Sequence, residues 1–134
     1  MIEKVFYDIN DDIAQIRNTV FILEQKIKKE DEYEGSENEY IHFAFYEKDL
    51  IIAYARLRDN HIGRVCVLKE YRGLGYGKNI LKKAEIEAYK RNYKYVELNA
   101  QISVKDFYLK LGYIPEGSPF LEAGILHLKM KKFL

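Results

Sequence analysis

The chain has 134 residues, enough for one domain with a buried core, and we expect residues 1–134 to form a single domain. Its 22 basic and 21 acidic residues leave a formal net charge of +1, which argues against binding nucleic acid through many phosphate contacts. The single cysteine, Cys66, excludes an internal disulfide or a multi-thiolate zinc site, and the histidines lack metal-ligand spacing. No apolar run or leader pattern points to a membrane or to secretion, so we expect a cytoplasmic protein without a metal.

The first forty residues predict a strand, a helix and a loop. An apolar-rich run over 2–9 is typical of a strand, and Asn10 supplies an N-cap for the helix that follows. Apolar residues at steps of three and four give that helix one buried face, made of Ile13, Ile16, Val20, Leu23 and Ile27. The acidic run from Glu30 to Glu39 is interpreted as a solvated loop, with a field that attracts cationic amines as the functional alternative.

The rest of the chain alternates strands and helices. Two β-type runs at 40–46 and 50–58 flank a short polar spacer and predict an antiparallel hairpin. The remaining elements are a strand at 62–68, a helix ending at 91–92, a strand from Tyr95, a short helix from Ser103 to Gly112, a strand at 113–114, an irregular stretch at 115–119 and a last strand at 125–130. The order β-α-β-β-β-α-β-α-β-β predicts an α/β or α+β fold on one mixed sheet.

Residues 65–78 carry the clearest chemical signal, because a buried strand runs into a glycine-rich turn and then into a helix. Gly73, Gly75 and Gly77 let successive backbone N–H groups converge on one point, and the helix N-terminus adds unpaired donors. Arg72 and Lys78 place positive charge at the two rims. The glycine spacing fits neither the P-loop nor the Rossmann pattern, so the segment predicts an anion cradle of another kind.

The segment Arg72-Gly73-Leu74-Gly75-Tyr76-Gly77 resembles the Q/R-x-x-G-x-G/A pyrophosphate loop of the GNAT superfamily of acetyl-coenzyme A-dependent N-acetyltransferases. A second segment, residues 101–113, resembles the superfamily pattern N-x-x-A-x-x-[FL]-Y-x-x-x-G-[FY]. The matching residues are Phe107, Tyr108, Gly112 and Tyr113, whereas Gln101 and Val104 depart from the pattern. Residues 20–25, 99–101 and 120–130 also resemble the ElaA-like branch of the superfamily.

The resemblance implies a mixed, mostly antiparallel β-sheet with splayed fourth and fifth strands, flanked by helices, and acetyl-coenzyme A as cosubstrate. Backbone groups of Val65 and Val67 would pair with the pantetheine amides, as an added strand would. Tyr108 would act as the general acid. The implied cofactor-contacting residues are Val65, Cys66, Val67, Arg72, Gly73, Leu74, Gly75, Tyr76, Gly77, Lys78, Asn99, Gln101 and Tyr108.

The acceptor side carries no motif that selects one residue. Glu24, His42, Glu122 and His127 are candidates for contacting the acceptor or for taking its proton, and the sequence does not choose among them. Cys66 lies between two valines, so packing is favoured over an acyl-cysteine role.

The predicted function is acetyl transfer from acetyl-coenzyme A to a primary amine of a small molecule or peptide, by direct attack in a ternary complex. The alternatives are a non-catalytic coenzyme A-binding regulatory module and a small nucleotide- or phosphate-binding protein. We expect no nucleic-acid or membrane partner, and a monomer or a homodimer.

Overall fold

One seven-stranded sheet runs through the protein, and the computed structural model describes all residues from 1 to 134. The strands are β1 (Ile2–Phe6), β2 (Ile41–Glu47), β3 (Leu50–Arg58), β4 (His61–Val67), β5 (Tyr95–Gln101), β6 (Ile114–Glu122) and β7 (Ile125–Phe133). Their order in the sheet is β1-β2-β3-β4-β5-β7-β6, and every neighbouring pair is antiparallel except β4 and β5. The predicted mixed, mostly antiparallel sheet is confirmed.

Four α-helices flank the sheet. They are α1 (Asp11–Arg17), α2 (Lys29–Glu32), α3 (Tyr76–Lys90) and α4 (Lys105–Lys110), with short 3₁₀ turns at Glu37–Glu39, Lys69–Tyr71 and Ile102–Val104. The Asn10 side chain caps α1 as predicted, accepting the N–H of Ile13 at 2.8 Å. None of these helices combines the length and the apolar character that a membrane span requires.

The sheet has an apolar core on each face. One core packs α3 and α4 against the sheet and includes Ile80, Leu81 and Tyr108. The other packs α1 against the opposite face and includes Ile16, Tyr54 and Cys66, so the packing interpretation of Cys66 agrees with its burial. A gap in the sheet would therefore connect the helix-lined region on one face of the sheet to the helix-lined region on the opposite face.

Such a gap exists between β4 and β5. These parallel strands pair only at His61 and Glu97, near the start of β4, and they separate towards their carboxyl ends. An irregularity in the β3–β4 pairing between Tyr54 and Arg56 accompanies the separation, and Arg64 opposite it has a positive φ of 54°. The predicted splay of the fourth and fifth strands is confirmed.

The structure of the first helix shows that one residue predicted to lie in the core is exposed. After Arg17 the helix continues as a π-helix, Asn18–Glu24, whose wider turn uses i→i+5 hydrogen bonds. The wider turn brings Phe21 into the core beside Val20 and leaves Leu23 exposed, because a stripe drawn at 3.6 residues per turn drifts off the true buried face.

Two predicted loops were also wrong in part. The run from Glu30 to Glu39 is not simply solvated, because Glu32 and Glu37 are buried against Arg17. The stretch 115–119 belongs to β6, although a register shift between Glu116 and Phe120 interrupts its pairing with β7. In both places tertiary partners order a segment whose own composition favours a loop.

Candidate active site

A cleft of about 750 Å³ opens where β4 and β5 separate. Its walls come from the end of β4, the glycine-rich turn, α4, the π-helical segment, α2 and the β6–β7 turn. Because its lining comes from helices on both faces of the sheet, the cleft passes through the gap in the sheet.

The β4 edge of the cleft offers backbone groups that no neighbouring strand pairs with. Leu68 donates its N–H to the carbonyl of Ile52 on β3 at 2.9 Å. Alternate residues of a strand direct their polar groups to opposite sides, so Val65 and Val67 direct theirs towards β5. Since β5 pairs with β4 only at His61, these groups face the cleft instead of a neighbouring strand.

The glycine-rich turn presents a second set of backbone donors. Gly75 is the N-cap of α3 with a φ of 89°, and no side chain caps this helix. The first bond at this end of α3 runs from the N–H of Asn79 to the carbonyl of Gly75, at 3.0 Å. The N–H groups of Tyr76, Gly77 and Lys78 therefore have no partner within the helix, which is the arrangement that binds anions.

Gly77 lies between α4 and the end of β4. A Cβ atom there would lie 3.4 Å from Cζ of Phe107 and 3.7 Å from Cγ2 of Val67. These contacts bring the start of α3 against both α4 and β4. The helix N-terminus therefore packs beside the end of the strand, at distances that a Cβ atom would reach as ordinary van der Waals contacts.

Arg72 is engaged by the protein itself. Its guanidinium holds both carboxylate oxygens of Glu24, at 2.6 and 2.8 Å, and Nε donates to the carbonyl of Val67 at 2.9 Å. The hydrogen bond from Arg72 lowers the pKa of Glu24, so the pair is ionised near neutral pH. The cradle is consequently built mainly from backbone N–H groups, with Arg72 anchoring the end of β4 to the π-helical segment.

Tyr108 of α4 lines the cleft and is only 7% exposed. Its ring contacts those of Phe107 and Tyr113 edge-on, with centroids 5.0 and 5.7 Å away. The hydroxyl makes no hydrogen bond with any other protein group, and burial raises its pKa. Tyr108 therefore retains its proton well above neutral pH and can donate it in the cleft.

His127 lines the cleft from β7, directly across the β5–β7 pair from Gln101. Its Nδ1 lies 2.7 Å from the carbonyl of Ile125. A carbonyl only accepts, so Nδ1 carries a proton and Nε2 is the nitrogen that can take up another. Nε2 lies 3.5 Å from Oε2 of Glu122, so the carboxylate can pair with the ring when Nε2 holds a proton.

The α2 wall of the cleft is held by buried ion pairs. Arg17 is fully buried and donates to Oε2 of Glu32 at 2.7 Å and to Oε1 of Glu37 at 2.8 Å. Arg56 also donates to Glu37, and Arg64 of β4 lies 3.1 Å from both Glu32 and Glu34. These pairs join α1, α2, β3 and β4, so they fix α2 over the gap in the sheet.

Four predicted residues do not line this cleft, and one of them, Glu24, contacts the lining residue Arg72. His42 is completely buried on β2, where its ring bonds to the hydroxyl of Tyr54 and to the carbonyl of Glu37, so we do not carry it into the proposed site. Leu74 is 66% exposed and does not line the cleft. Asn99 lines a smaller polar pocket of about 170 Å³. Neither residue lines the larger cleft, and contact of either with the cofactor stays a prediction.

The other predicted residues lie in or beside the cleft. The lining contains Val65, Cys66, Val67, Arg72, Gly73, Gly75, Tyr76, Gly77, Lys78, Gln101, Tyr108, Glu122 and His127, while Glu24 contributes through Arg72. Gln101 donates to Gln25 at 2.8 Å, which connects β5 to the π-helical segment. No group of three or more histidine, cysteine, aspartate or glutamate residues is placed to hold a metal ion.

The buried arginines that support this site were not predicted from the sequence. One signal was available, since Arg17 follows Ile13 by four residues and so lies on the buried stripe of α1. A charged residue on that stripe requires a buried partner. Its partners, Glu32 and Glu37, lie within the acidic run that was interpreted as a loop.

Comparison with known proteins gives a consistent result. Residues 9–134 match the family model described as an acetyltransferase (GNAT) domain. The chain is 37% identical over 126 residues to the uncharacterised N-acetyltransferase YjcF of Bacillus subtilis, covering 90% of each chain. It is 30% identical over 131 residues to the ElaA protein of Escherichia coli, covering 90% of this chain and 84% of that one.

Solved structures give the same fold. The crystal structure of Escherichia coli ElaA superimposes with a TM-score of 0.83 at 26% identity, covering 98% of this chain and 99% of that chain. An acyl-CoA N-acyltransferase from Pseudomonas aeruginosa superimposes with a TM-score of 0.82 at 26% identity, covering 98% of each chain.

Proposed function

Because the chain belongs to the acetyltransferase (GNAT) family, we propose that it transfers an acetyl group from acetyl-coenzyme A to a primary amine of a small molecule or peptide. One observation carries this proposal. Backbone groups of β4 that no strand pairs with, and the free N–H groups of the first turn of α3, line the same cleft as the unbonded hydroxyl of Tyr108.

The free backbone groups of the cleft match two successive parts of acetyl-coenzyme A, its pyrophosphate and its pantetheine arm. The N–H groups of Tyr76, Gly77 and Lys78 would bind the pyrophosphate at the N-terminus of α3. The backbone of Val65 and Val67 would pair with the pantetheine amides along the edge of β4. Bound in this way, acetyl-coenzyme A supplies an activated acetyl thioester beside Tyr108.

Direct attack by the amine is favoured over a covalent enzyme intermediate. Burial raises the pKa of the Cys66 thiol, so the sulfur remains protonated and weakly nucleophilic. In direct attack the amine nitrogen forms a C–N bond with the acetyl carbon, the C–S bond breaks, and its electron pair leaves on sulfur. The cleft accelerates this step by holding both reactants together.

Three groups of the protein assist the transfer. The N–H of Val67 donates a hydrogen bond to the acetyl oxygen as negative charge develops there. Tyr108 gives its hydroxyl proton to the departing sulfur. Nε2 of His127 takes the proton that the amine loses, and the carbonyl of Ile125 holds the imidazole in the tautomer that can accept it.

The test is an assay of thiol release from acetyl-coenzyme A across amino sugars, polyamines, amino acids and peptide N-termini. We expect at least one class to give one N-acetyl product per thiol, with the product identified by mass spectrometry. Tight coenzyme A binding without turnover of any amine would favour the non-catalytic regulatory module. Binding of ATP in preference to acetyl-coenzyme A would favour a nucleotide-binding protein.

A further inference from the structure

No backbone pairing joins β4 and β5 at the open end of the cleft. The two strands pair only at His61 and Glu97. From that point β4 continues to Val67, which is about 20 Å of strand. Another link must therefore hold the two walls at a fixed separation if acetyl-coenzyme A is to be bound between them in one position.

Two consecutive side chains at the end of the π-helical segment span this gap. Glu24 holds Arg72, which follows β4, through both carboxylate oxygens at 2.6 and 2.8 Å. Gln25 accepts a hydrogen bond at 2.8 Å from Gln101, the last residue of β5. Glu24 and Gln25 thus form a brace that connects the end of β4 to the end of β5.

The π-helical geometry places the brace. Each turn of a π-helix holds more residues than a turn of an α-helix, so Glu24 and Gln25 lie at angles that a regular continuation of α1 would not give them. The N–H of Gln25 closes the segment by bonding to the carbonyl of Val20 at 3.1 Å. Lys26 then turns the chain away with a φ of 63°, which is uncommon for lysine. Both π-helical turns and strained backbone are frequent at functional sites.

The Glu24 arm of the brace reaches the end of β4 through Arg72. Nε of Arg72 donates to the carbonyl of Val67 at 2.9 Å, and the N–H of Leu68 in the same peptide donates to the carbonyl of Ile52 at 2.9 Å. That peptide is therefore held on both sides of the strand. Because the N–H and C=O of one strand residue point to the same side, fixing the Val67 carbonyl also fixes the direction of the Val67 N–H. This N–H is the donor to the acetyl oxygen in the proposed transfer.

The contact between Glu24 and Arg72 fixes a direction more than it stabilises the fold. The two side chains are 36% and 40% exposed, and ion pairs that are this exposed add little to stability. The paired bonds of a guanidinium to a carboxylate nevertheless hold both groups in one orientation. Loss of the Glu24 carboxylate should therefore change the geometry of the cleft more than the free energy of unfolding.

We propose that Glu24 and Gln25 are positioning residues for acetyl transfer. Glu24 acts through Arg72 to orient the N–H of Val67, and Gln25 acts through Gln101 to hold β5 at the matching distance. Neither residue is assigned a proton or a bond in the reaction. This inference rests on the proposed acetyl transfer and adds to it the residues that keep the cleft in its reactive shape.

The substitution E24Q tests the first arm of the brace. The amide keeps one acceptor oxygen and turns an NH₂ group towards the guanidinium, so the paired contact is lost. We expect kcat to fall by about tenfold, by the same factor from about pH 6 to about pH 9, while affinity for acetyl-coenzyme A changes by less than about threefold. A kcat within about twofold of wild type, with chemistry rate-limiting, would overturn the inference.

The matched control is E87Q. Glu87 forms a similarly exposed pair with Arg91 at 2.9 Å and does not line the cleft. We expect E87Q to leave kcat unchanged and to change the melting temperature as little as E24Q does. A purely structural role of Glu24 would instead lower the melting temperature of E24Q below that of E87Q and leave kcat unchanged.

Two substitutions at Gln25 test the second arm. Q25L has a similar size but cannot accept the hydrogen bond from Gln101, so we expect kcat to fall by about threefold or more. Q25E keeps an acceptor oxygen and should retain at least about half of the wild-type kcat. Equal kcat values for Q25L and Q25E would contradict the role given to this hydrogen bond.

Infrared spectroscopy of bound acetyl-coenzyme A, isotope-labelled at the thioester carbonyl, separates this inference from the proposed function. A hydrogen bond from the Val67 N–H lowers the stretching frequency of that carbonyl, and E24Q should reduce the shift, whereas a proton-accepting role of Glu24 would leave it unchanged. A reduced shift in E24Q without acetylation of any amine would support the brace and contradict acetyl transfer. Acetylation with an unchanged shift and an unchanged kcat in E24Q would support acetyl transfer and contradict the brace.

Discussion

The two ends of the cleft are built in different ways. At the glycine-rich turn, neighbouring residues present backbone N–H groups, and the start of α3 orients them. At the α2 wall, the helix is held by Arg17, which lies 15 residues before Glu32, and by Arg64, which lies 32 residues after it. The first end is a local arrangement of the backbone, whereas the second depends on side chains brought together by the whole fold.

The difference predicts how each end responds to substitution. A change at the glycine-rich turn should affect binding of acetyl-coenzyme A while the rest of the protein remains folded. A change in the buried ion pairs should lower the free energy of unfolding and also weaken binding of the acceptor. The same residues hold α2 in place and form the α2 wall of the cleft. Tyr108 lines the cleft and its hydroxyl makes no hydrogen bond within the protein, so loss of that hydroxyl should affect the chemical step alone.

We expect the largest effect from Tyr108→Phe. Loss of the proton donor should lower kcat by about 10²–10⁴-fold, while affinity for acetyl-coenzyme A stays nearly unchanged. Because burial raises the pKa of Tyr108, the wild-type rate should show no loss from tyrosine ionisation up to at least about pH 9. Steady-state kinetics across pH and calorimetry of acetyl-coenzyme A provide these values. A kcat within about threefold of wild type, with chemistry rate-limiting, would show that Tyr108 is only a core aromatic.

Arg17→Met should give the next largest effect, on stability. The substitution leaves buried Glu32 and Glu37 without their shared cation, and breaking a buried pair in this way costs about 3–5 kcal/mol of unfolding free energy. Arg58→Met is the matched control, because Arg58 forms an exposed pair with Glu39 that is worth at most about 1 kcal/mol. Urea unfolding measures both. Equal losses in the two variants would contradict the structural role given to Arg17.

Gly75→Val should weaken binding of acetyl-coenzyme A by about tenfold or more, because it distorts the donors at the start of α3. The φ of Gly75 is 89°, which a β-branched residue adopts only with strain of about 1–3 kcal/mol. Gly117→Val is the control, since Gly117 has a φ of 80° and open space around it but lies outside the cleft. Calorimetry should show weaker binding only for the Gly75 variant.

The smallest effect concerns pH and stability. Burial lowers the pKa of His42, so the folded protein keeps this ring neutral, whereas the unfolded chain takes up a proton near the ordinary value of about 6.5. The unfolded state thus binds more protons below that pH, and stability falls as pH decreases from about 7 to about 5.5. One proton limits the slope to about 1.4 kcal/mol per pH unit.

The variant His42→Gln should reduce that slope in urea unfolding measured at several pH values. His61→Gln is the comparison, because burial lowers the pKa of His61 as well but its side chain is 39% exposed. We expect a smaller change in slope for His61→Gln. If the slope of stability against pH is unchanged in His42→Gln, another group causes the loss of stability at low pH.

Most elements could be predicted because their signals are local. The N-cap at Asn10, the hairpin formed by β2 and β3, and the strand–glycine turn–helix segment each depend on residues close together in the chain. The errors arose where distant contacts outweigh local preference. Leu23 was wrongly assigned to the core because no local pattern marks the change to a π-helix, and β6 was interrupted in the prediction because its prolines favour irregular structure.

The sequence by itself determined the chemistry of one end of the cleft. The glycines from Gly73 to Gly77 define a backbone conformation, and a backbone conformation of five residues depends little on the rest of the molecule. The role of Tyr108 and the splay of the strands, by contrast, were implied by the resemblance of two segments to a family. The splay is confirmed, and the role of Tyr108 stays a prediction.

Only the tertiary structure decided the charge at the α2 wall of the cleft. Glu30, Asp31, Glu32 and Glu34 are similar in sequence context, yet one is buried and paired, one is paired at the surface, and two have no ion-pair partner in the cleft. The partners that distinguish them, Arg17 and Arg64, come from α1 and β4. The effective charge of a carboxylate depends on its burial and on the cations within a few ångströms, and both are set by folding rather than by neighbours in the chain.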